Sequence, residues 1–233
     1  MDNFIAALKD PAEVPEMSSD QPLPAQIAGY IRNLIIHDIL KPGESVRERF
    51  IADTLKVSRT PMRDALKILS VERLVKLYPN RSAVVVDNSL EDITDMLSVY
   101  VELDKMAATT ACRMASETDF LRIERHIEEM RKAQVERNRS EYFRANQNFH
   151  FAIVSAARNQ TLAEMHMTLN LRLYRVRYLA ILSQEIWTTR EDEHRAMLNA
   201  LRARDQEELA ILQKEHFAVA WRLIDDWCRS AAS

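Results

Sequence analysis

Between Asn80 and Ser233 the chain contains neither glycine nor proline. β-Turns draw on both residues, glycine for positive φ and proline for a preset φ at the corner. A β-rich domain of that length without either would be very unusual. The last two-thirds of the 233 residues are therefore expected to be helical and joined by short loops. The only glycines, Gly29 and Gly43, and all seven prolines lie at or before Pro79. The first third must be built differently.

Charge divides at the same place. From Lys41 to Arg81 there are ten lysines and arginines against five acidic residues, whereas the whole chain carries −3. A compact basic segment on an acidic body points to a polyanionic partner for that segment alone. A hydrophobic content of 47% and a charged content of 29% fit a globular protein. The opening "MDNFIAALKD" carries Asp2 and Asp10 and no long apolar core, so it is not read as a signal peptide. No window approaches the eighteen or so apolar residues that a membrane span needs. Cys112 and Cys228 are far apart and form no CxxC pattern, which suits free thiols in a reducing compartment. The expected location is cytoplasmic, with no membrane partner.

Three regions are expected. Residues 1–21 are acidic, contain proline and serine, and read as a flexible arm. Residues 22–87 read as a small basic domain of helices and a hairpin, and residues 88–233 as an all-helical domain. In the second region a helix is expected over about 22–40, with Ile27, Ile31, Leu34 and Ile35 at core spacing. "KPGE" (41–44) reads as a turn, and a short helix follows from about Arg47, burying Phe50 or Ile51 with Ala52 and Leu55.

"VSRTPMRDALKIL" (57–69) then opens another helix, with Ser58 as the expected N-cap and Pro61 in the first turn, where a missing N–H costs little. Met62, Ala65, Leu66 and Leu69 fall on one face, while Arg59, Arg63 and Lys67 form a cationic stripe elsewhere. "LVKLYPNRSAVVV" (74–86) alternates around Pro79-Asn80 and predicts a β-hairpin. Helix, helix, turn, helix and hairpin make a winged helix-turn-helix, whose second helix enters the DNA major groove by its N-terminal end. Arginine reads guanine there with a rigid fork of donors.

The stretch "LKPGESVRERFIADTLKVSRTPMRDALKILSVERLVKLYPNRSAVVV" closely resembles the N-terminal domain of GntR-family transcription regulators. The resemblance implies that Arg49, Arg59 and Arg63 are the main DNA-contacting arginines, that Ser58 and Thr60 touch phosphates, and that Arg81 sits at the wing tip. The partner would be a double-stranded, pseudo-palindromic operator bound by a homodimer. Ser82 stands where the family usually has glycine, and Lys56 where many such turns have glycine.

In the body, helices are expected at about 89–114, 118–137, 140–157, 162–183, 189–203 and 206–230. Leu121, Ile123, Ile127 and Met130 form the expected core side of the second. Of the six histidines, His37, His126 and His166 read as surface or satisfied core residues. Asn146 and His150 share a helix face, being four apart. His194 and His216 lie eleven residues either side of Asp205, a good N-cap, so a helical hairpin turning there would bring them level. Spacing alone leaves a metal pocket and a coincidence both open.

This body resembles the FCD domain of the FadR subfamily. "FRANQNFHFAIVSAARNQTL" matches that family's "D..FH......N..L" stretch, and "DEHRAMLNALRARDQEELAILQKEHF" matches its paired histidines. The resemblance implies a divalent metal, Zn²⁺ or Ni²⁺, held by His150, His194 and His216, with Asn146 replacing the usual aspartate. It also implies a small-molecule effector, in many members a carboxylate paired with the arginine of an "R..LE" pattern. Here Tyr100 occupies the arginine position and Asp104 the glutamate position. A carboxylate effector would then need Arg172, Arg175 or Arg177; Tyr100 and Asn170 either line the same cavity or are ordinary packing. The chain is not expected to be an enzyme. A metal-dependent hydrolase is the rival, since three histidines can leave a position for water, but no carboxylate stands at motif spacing beside them. A body acting only as a dimerisation scaffold is the third reading.

Overall fold

The computed structural model describes residues 15, 17–18, 21–79, 83–182 and 191–231, and the chain divides into two compact units between Ser89 and Leu90. In the first unit, α1 (Leu23–Ile36) starts with Pro24 in its first turn and buries Ile27, Ala28, Ile31 and Ile35. It ends four residues before the expected Leu40, because Asp38 turns into the left-handed region at φ 61°. α2 (Glu48–Leu55) and α3 (Arg59–Val71) form the helix-turn-helix. α2 buries Ile51 and leaves Phe50 68% exposed, which resolves the either-or of the sequence. α3 buries Met62, Ala65, Leu66 and Leu69, the expected face. Arg32 of α1 grips Glu72 just beyond α3, with Nε and Nη2 donating at 2.6–3.0 Å. Such a bidentate, largely buried pair fixes geometry as well as adding energy.

β1 (Val75–Lys76) and β2 (Val84–Val85) pair antiparallel, Val75 opposite Val85. The outer edge of β2 is covered by a segment that reads only as a turn in the sequence. Val46 N–H donates to Ala83 O at 2.8 Å, Gly43 N–H to Val85 O at 3.0 Å, and Ser45 bridges Val84. The wing tip, with Arg81 and Ser82, lies outside the described residues.

The described part of the second unit is all α: α4 (Leu90–Met114), α5 (Glu117–Val135), α6 (Arg139–Ala156), α7 (Gln160–Leu182), α8 (Glu191–Arg202) and α9 (Gln206–Ala231). Short side chains start these helices. Ser116 and Asp119 form a reciprocal capping box on α5, and Asn138 accepts from Glu141 N–H at 3.1 Å on α6. Asp205 accepts from Glu208 N–H at 3.0 Å on α9, as expected. Without glycine, the chain ends helices on arginine: Arg137, Arg158 and Arg204 all take positive φ, between 54° and 60°. Each costs about 1 kcal/mol relative to ordinary backbone. Arg204 offsets its strain by donating to Cys112 O at 2.9 Å and Ala115 O at 2.6 Å, the orphan carbonyls closing α4. Arg158 reaches Asp119 at 2.5 Å.

Two apolar clusters fill the body. One joins the later half of α4 to α5, α6 and α8; the other joins the earlier half of α4 to α7 and α9. Leu121, expected in the core, is 63% exposed, and Phe120 is buried in its place. α6 is buried on several faces and carries Asn146, Gln147 and His150 inward among its apolar residues. Among the described residues, no helix is long and apolar enough to cross a membrane.

Candidate functional site

The sequence points to two sites, one in each unit. In the first, Arg49, Ser58, Arg59, Thr60 and Arg63 are all exposed. Ser58 is the N-cap residue of α3, with extended backbone, but its hydroxyl makes no capping hydrogen bond, contrary to expectation. Ser58, Arg59 and Thr60 are exposed at the positive end of the helix dipole with no side-chain cap on the first turn, an arrangement suited to an anion. Arg59 and Arg63 have no ion pair among the described residues. Lys67 is neutralised by Asp64 at 2.8 Å, and Arg49 stands 3.8 Å from Asp53 with both side chains exposed. The stripe thus narrows to its two arginines nearest the helix start. Lys56, at φ 54°, supplies the left-handed turn between α2 and α3 that glycine would supply at lower cost.

In the second unit, three helices bring His150, His194 and His216 together. Their ring nitrogens lie within 4.8 Å of one another, all three side chains are buried, and the α8–α9 hairpin turning at Asp205 sets the last two level. Two nitrogens on one ion at about 2.1 Å each can be at most about 4.2 Å apart, so the rings need only small rotations to share one. The chemistry fits a metal. His150 is 1% exposed and neither of its nitrogens has a hydrogen-bond partner. Burial above all, then the positive surroundings of His216, Arg177, His194 and His166, push its basicity well below the usual histidine range. It is a neutral, available ligand. Asn146 is buried one turn before His150 on α6. Its neutral amide oxygen would be a weaker metal ligand than a carboxylate oxygen.

A carboxylate does stand beside the triad, where none was expected from spacing. Glu193 Oε2 lies 2.8 Å from His216 Nδ1. An ionised carboxylate only accepts, so Nδ1 holds the proton and Nε2 keeps its lone pair for the triad; this is how ligating histidines are commonly oriented.

The predicted effector residues also meet. Arg177 donates through Nη1 to Tyr100 Oη at 2.9 Å and to Asn170 Oδ1, and its guanidinium sits 4.9 Å from the Tyr100 ring centre. Tyr100 and Asn170 are 1% and 0% exposed. Burial raises the Tyr100 phenol far above its ordinary range, only partly countered by Arg177, so the phenol stays neutral. Arg177 is therefore a buried cation whose hydrogen-bond partners are both uncharged. Arg175 instead stacks at 5.6 Å on Trp227.

The sequence reading missed two inward-facing polar residues, Gln147 and Gln213, and did not pair Asp104 with His166. Gln147 and Gln213 each precede a triad histidine by three residues and have unpaired buried amides. Asp104 and His166 are both fully buried, with Asp104 Oδ1 3.5 Å from His166 Nε2. His166 is thus neither a surface nor a satisfied residue, whereas His37 and His126 are partnered by Asn33 O and Glu129. Position three before a triad histidine, on the same helix face, was the available signal for the glutamines.

Residues 95–219 match the FCD domain, and residues 23–85 match the bacterial regulatory proteins of the gntR family. The chain belongs to the GntR family and carries an FCD domain. The HTH-type transcriptional repressor RspR of Escherichia coli strain K12 is 23% identical over 201 residues, covering 86% of this chain and 88% of that protein. The repressor GlaR of the same strain is 24% identical over 195 residues, covering 80% and 89%. The solved structure of E. coli McbR/YncC aligns with a TM-score of 0.73 at 22% identity, over 88% of this chain and 99% of that one, which speaks to the fold. The GntR-family assignment makes this chain a DNA-binding transcription regulator with an effector domain, not an enzyme.

Proposed function

We propose that the protein is a cytoplasmic, homodimeric, ligand-responsive regulator of the FadR subfamily that binds a pseudo-palindromic operator. The observation that carries this reading is the start of α3, where Arg59 and Arg63 stand exposed and unpaired beside an uncapped first turn. Arg59 and Arg63 read base edges; Ser58, Thr60 and the first-turn amides hold a phosphate; Arg49 and Arg81 make flanking contacts. One recognition helix reads too few bases for specificity, and two-fold symmetry doubles the site.

In the FCD domain, Arg177 with Tyr100 and Asn170 receives the carboxylate of a small-molecule effector. This restores from α7 the charge that the arginine-to-tyrosine exchange removes from α4. His150, His194 and His216 hold a divalent ion, Zn²⁺ or Ni²⁺, with Asn146 as a weak fourth ligand. Three imidazoles favour these ions over Mg²⁺ or Ca²⁺. An ion held by these histidines would supply Lewis acidity toward an effector oxygen. Only residues 86–89 separate β2 from α4, leaving little slack between the units. The effector must bind two states with different affinity to act on DNA at all.

The test is selection of bound DNA from a random pool, repeated with candidate metabolites, with light scattering on the same preparation. Enrichment of an inverted repeat by a dimer is the expected result. A monomer at working concentration, or no enriched sequence, would overturn the reading.

A further inference from the structure

Asp104 and His166 lie outside the metal triad and outside the Arg177 cluster, yet they share a wall with both. Tyr100 and Asp104 are one turn apart on α4, roughly 5–6 Å between their Cβ atoms. The Tyr100 ring stacks on His166 at 4.5 Å between ring centres, and Phe151 flanks the same imidazole at 5.2 Å. On α7, His166 and Asn170 are likewise one turn apart, and Asn170 accepts from Arg177. Phe217 connects this seam to the triad, 6.2 Å from Tyr100 and 5.5 Å from His150.

The seam's charges are unusual. Asp104 is 0% exposed, and neither carboxylate oxygen receives a hydrogen bond. His166 is 0% exposed, and neither ring nitrogen makes one. The amide nitrogen of Asn170 is also buried without an acceptor. At the other end, among the described residues, Arg177 donates to the neutral Tyr100 and Asn170 side chains. Buried polar groups are nearly always satisfied, and leaving one without a partner is costly. A buried guanidinium bonded to neutral groups at one end of the seam, and at the other a buried carboxylate whose charged neighbour is at most His166, Nε2 at 3.5 Å, are complementary to a molecule bearing both opposite charges.

We infer that the effector is a zwitterion, a small amino acid whose carboxylate meets Arg177 and whose ammonium meets Asp104 beside the Tyr100–His166 stack. His166 would then hold Asp104 in place or accept an ammonium hydrogen. This rests on reading the FCD domain as an effector domain in which Arg177 takes a carboxylate, and adds that the opposite end requires a positive charge.

The experiment is calorimetric titration and thermal-shift measurement on the intact protein. The probes are the standard L-amino acids, β-alanine and γ-aminobutyrate. Each binder is compared with its hydroxy-acid analogue, which keeps the carboxylate alone, and its methyl ester, which keeps the ammonium alone. At least one amino acid should bind, with both analogues weaker by about 30-fold or more, the effect of removing one partner from a buried charge pair. Asp104→Asn, nearly the same shape, should erase the preference for amino over hydroxy acid. Arg177→Met should abolish binding of both. Because the analogue comparison uses the native protein, it decides even if a variant fails to fold. A hydroxy acid that binds as well as its amino acid overturns the zwitterion and leaves the carboxylate reading standing. No binding by any amino acid overturns it as well, and binding of the esters alone would overturn both.

Discussion

Asp119 shows how one residue in this protein can serve several elements. Its carboxylate accepts from the Ser116 amide at 2.9 Å and hydroxyl at 2.7 Å, from Arg122 at 2.9 Å and from Arg158 at 2.5 Å. It therefore starts α5, and through Arg158 it pins the glycine-free end of α6. Burial alone would raise its pKa, but the Ser116 hydrogen bonds, followed by Arg158 and Arg122, outweigh it and hold the carboxyl below its ordinary 3.8. Asp119→Ala should lower stability at neutral pH by about 1–3 kcal/mol, from the lost cap and the stranded guanidinium contacts. A depressed carboxylate pKa stabilises fully above the unfolded value and progressively less as pH falls through the folded one. The gap in urea midpoint between native protein and Asp119→Ala should accordingly be widest near pH 7 and shrink below about pH 4. A gap that does not change with pH would show that the cap acts by shape alone.

At the scale of elements, the helical hairpin of α8 and α9 was legible because Asp205 marks its turn and His194 and His216 are equidistant from it. The absence of glycine and proline after Asn80 likewise gave an all-α body. Other features leave no periodic trace. Neighbouring apolar residues compete for one buried position, and packing alone chose Ile51 over Phe50 and Phe120 over Leu121. The pairing of residues 43–46 along β2 depends on a partner forty residues away. Asp104 and His166 look like any polar residues on a helix until the opposite helix is in place. Two predictions belong here. Lys56→Gly should relieve the left-handed turn of the helix-turn-helix by up to about 1 kcal/mol, slowing amide exchange in α2 and α3 by up to about fivefold. Faster exchange would mean that the added freedom of the unfolded chain outweighs the strain. Because the triad draws on α6, α8 and α9, saturating Zn²⁺ or Ni²⁺ should raise the melting temperature of the native protein. Ligand at about a hundred times its Kd is worth about 2.7 kcal/mol. The rise should vanish in His194→Ala and grow in Asn146→Asp, which restores an anionic ligand. No rise in native protein would mean the triad is a packing feature.

At the scale of the molecule, a basic, anion-seeking helix start is combined with a helical body whose centre is lined by buried, underpaired polar groups. The first feature suits DNA and the second a small ligand, and the GntR and FCD matches span both. A DNA-binding domain was legible in the sequence because Arg59 and Arg63 flank Pro61 at the start of a basic helix. The narrowing of the cationic stripe was not, since it depends on Asp64 capturing Lys67. The central claim is that α3 reads bases through these two arginines. The most direct measurement is the affinity of the native protein, Arg59→Ala and Arg63→Ala for the selected operator and for an unrelated duplex, at fixed salt. Each substitution should cost about 1–3 kcal/mol on the operator and relax base preference at one position per half-site, with a smaller loss on unrelated DNA. Operator affinity unchanged in both variants, or equal losses on both duplexes, would contradict it.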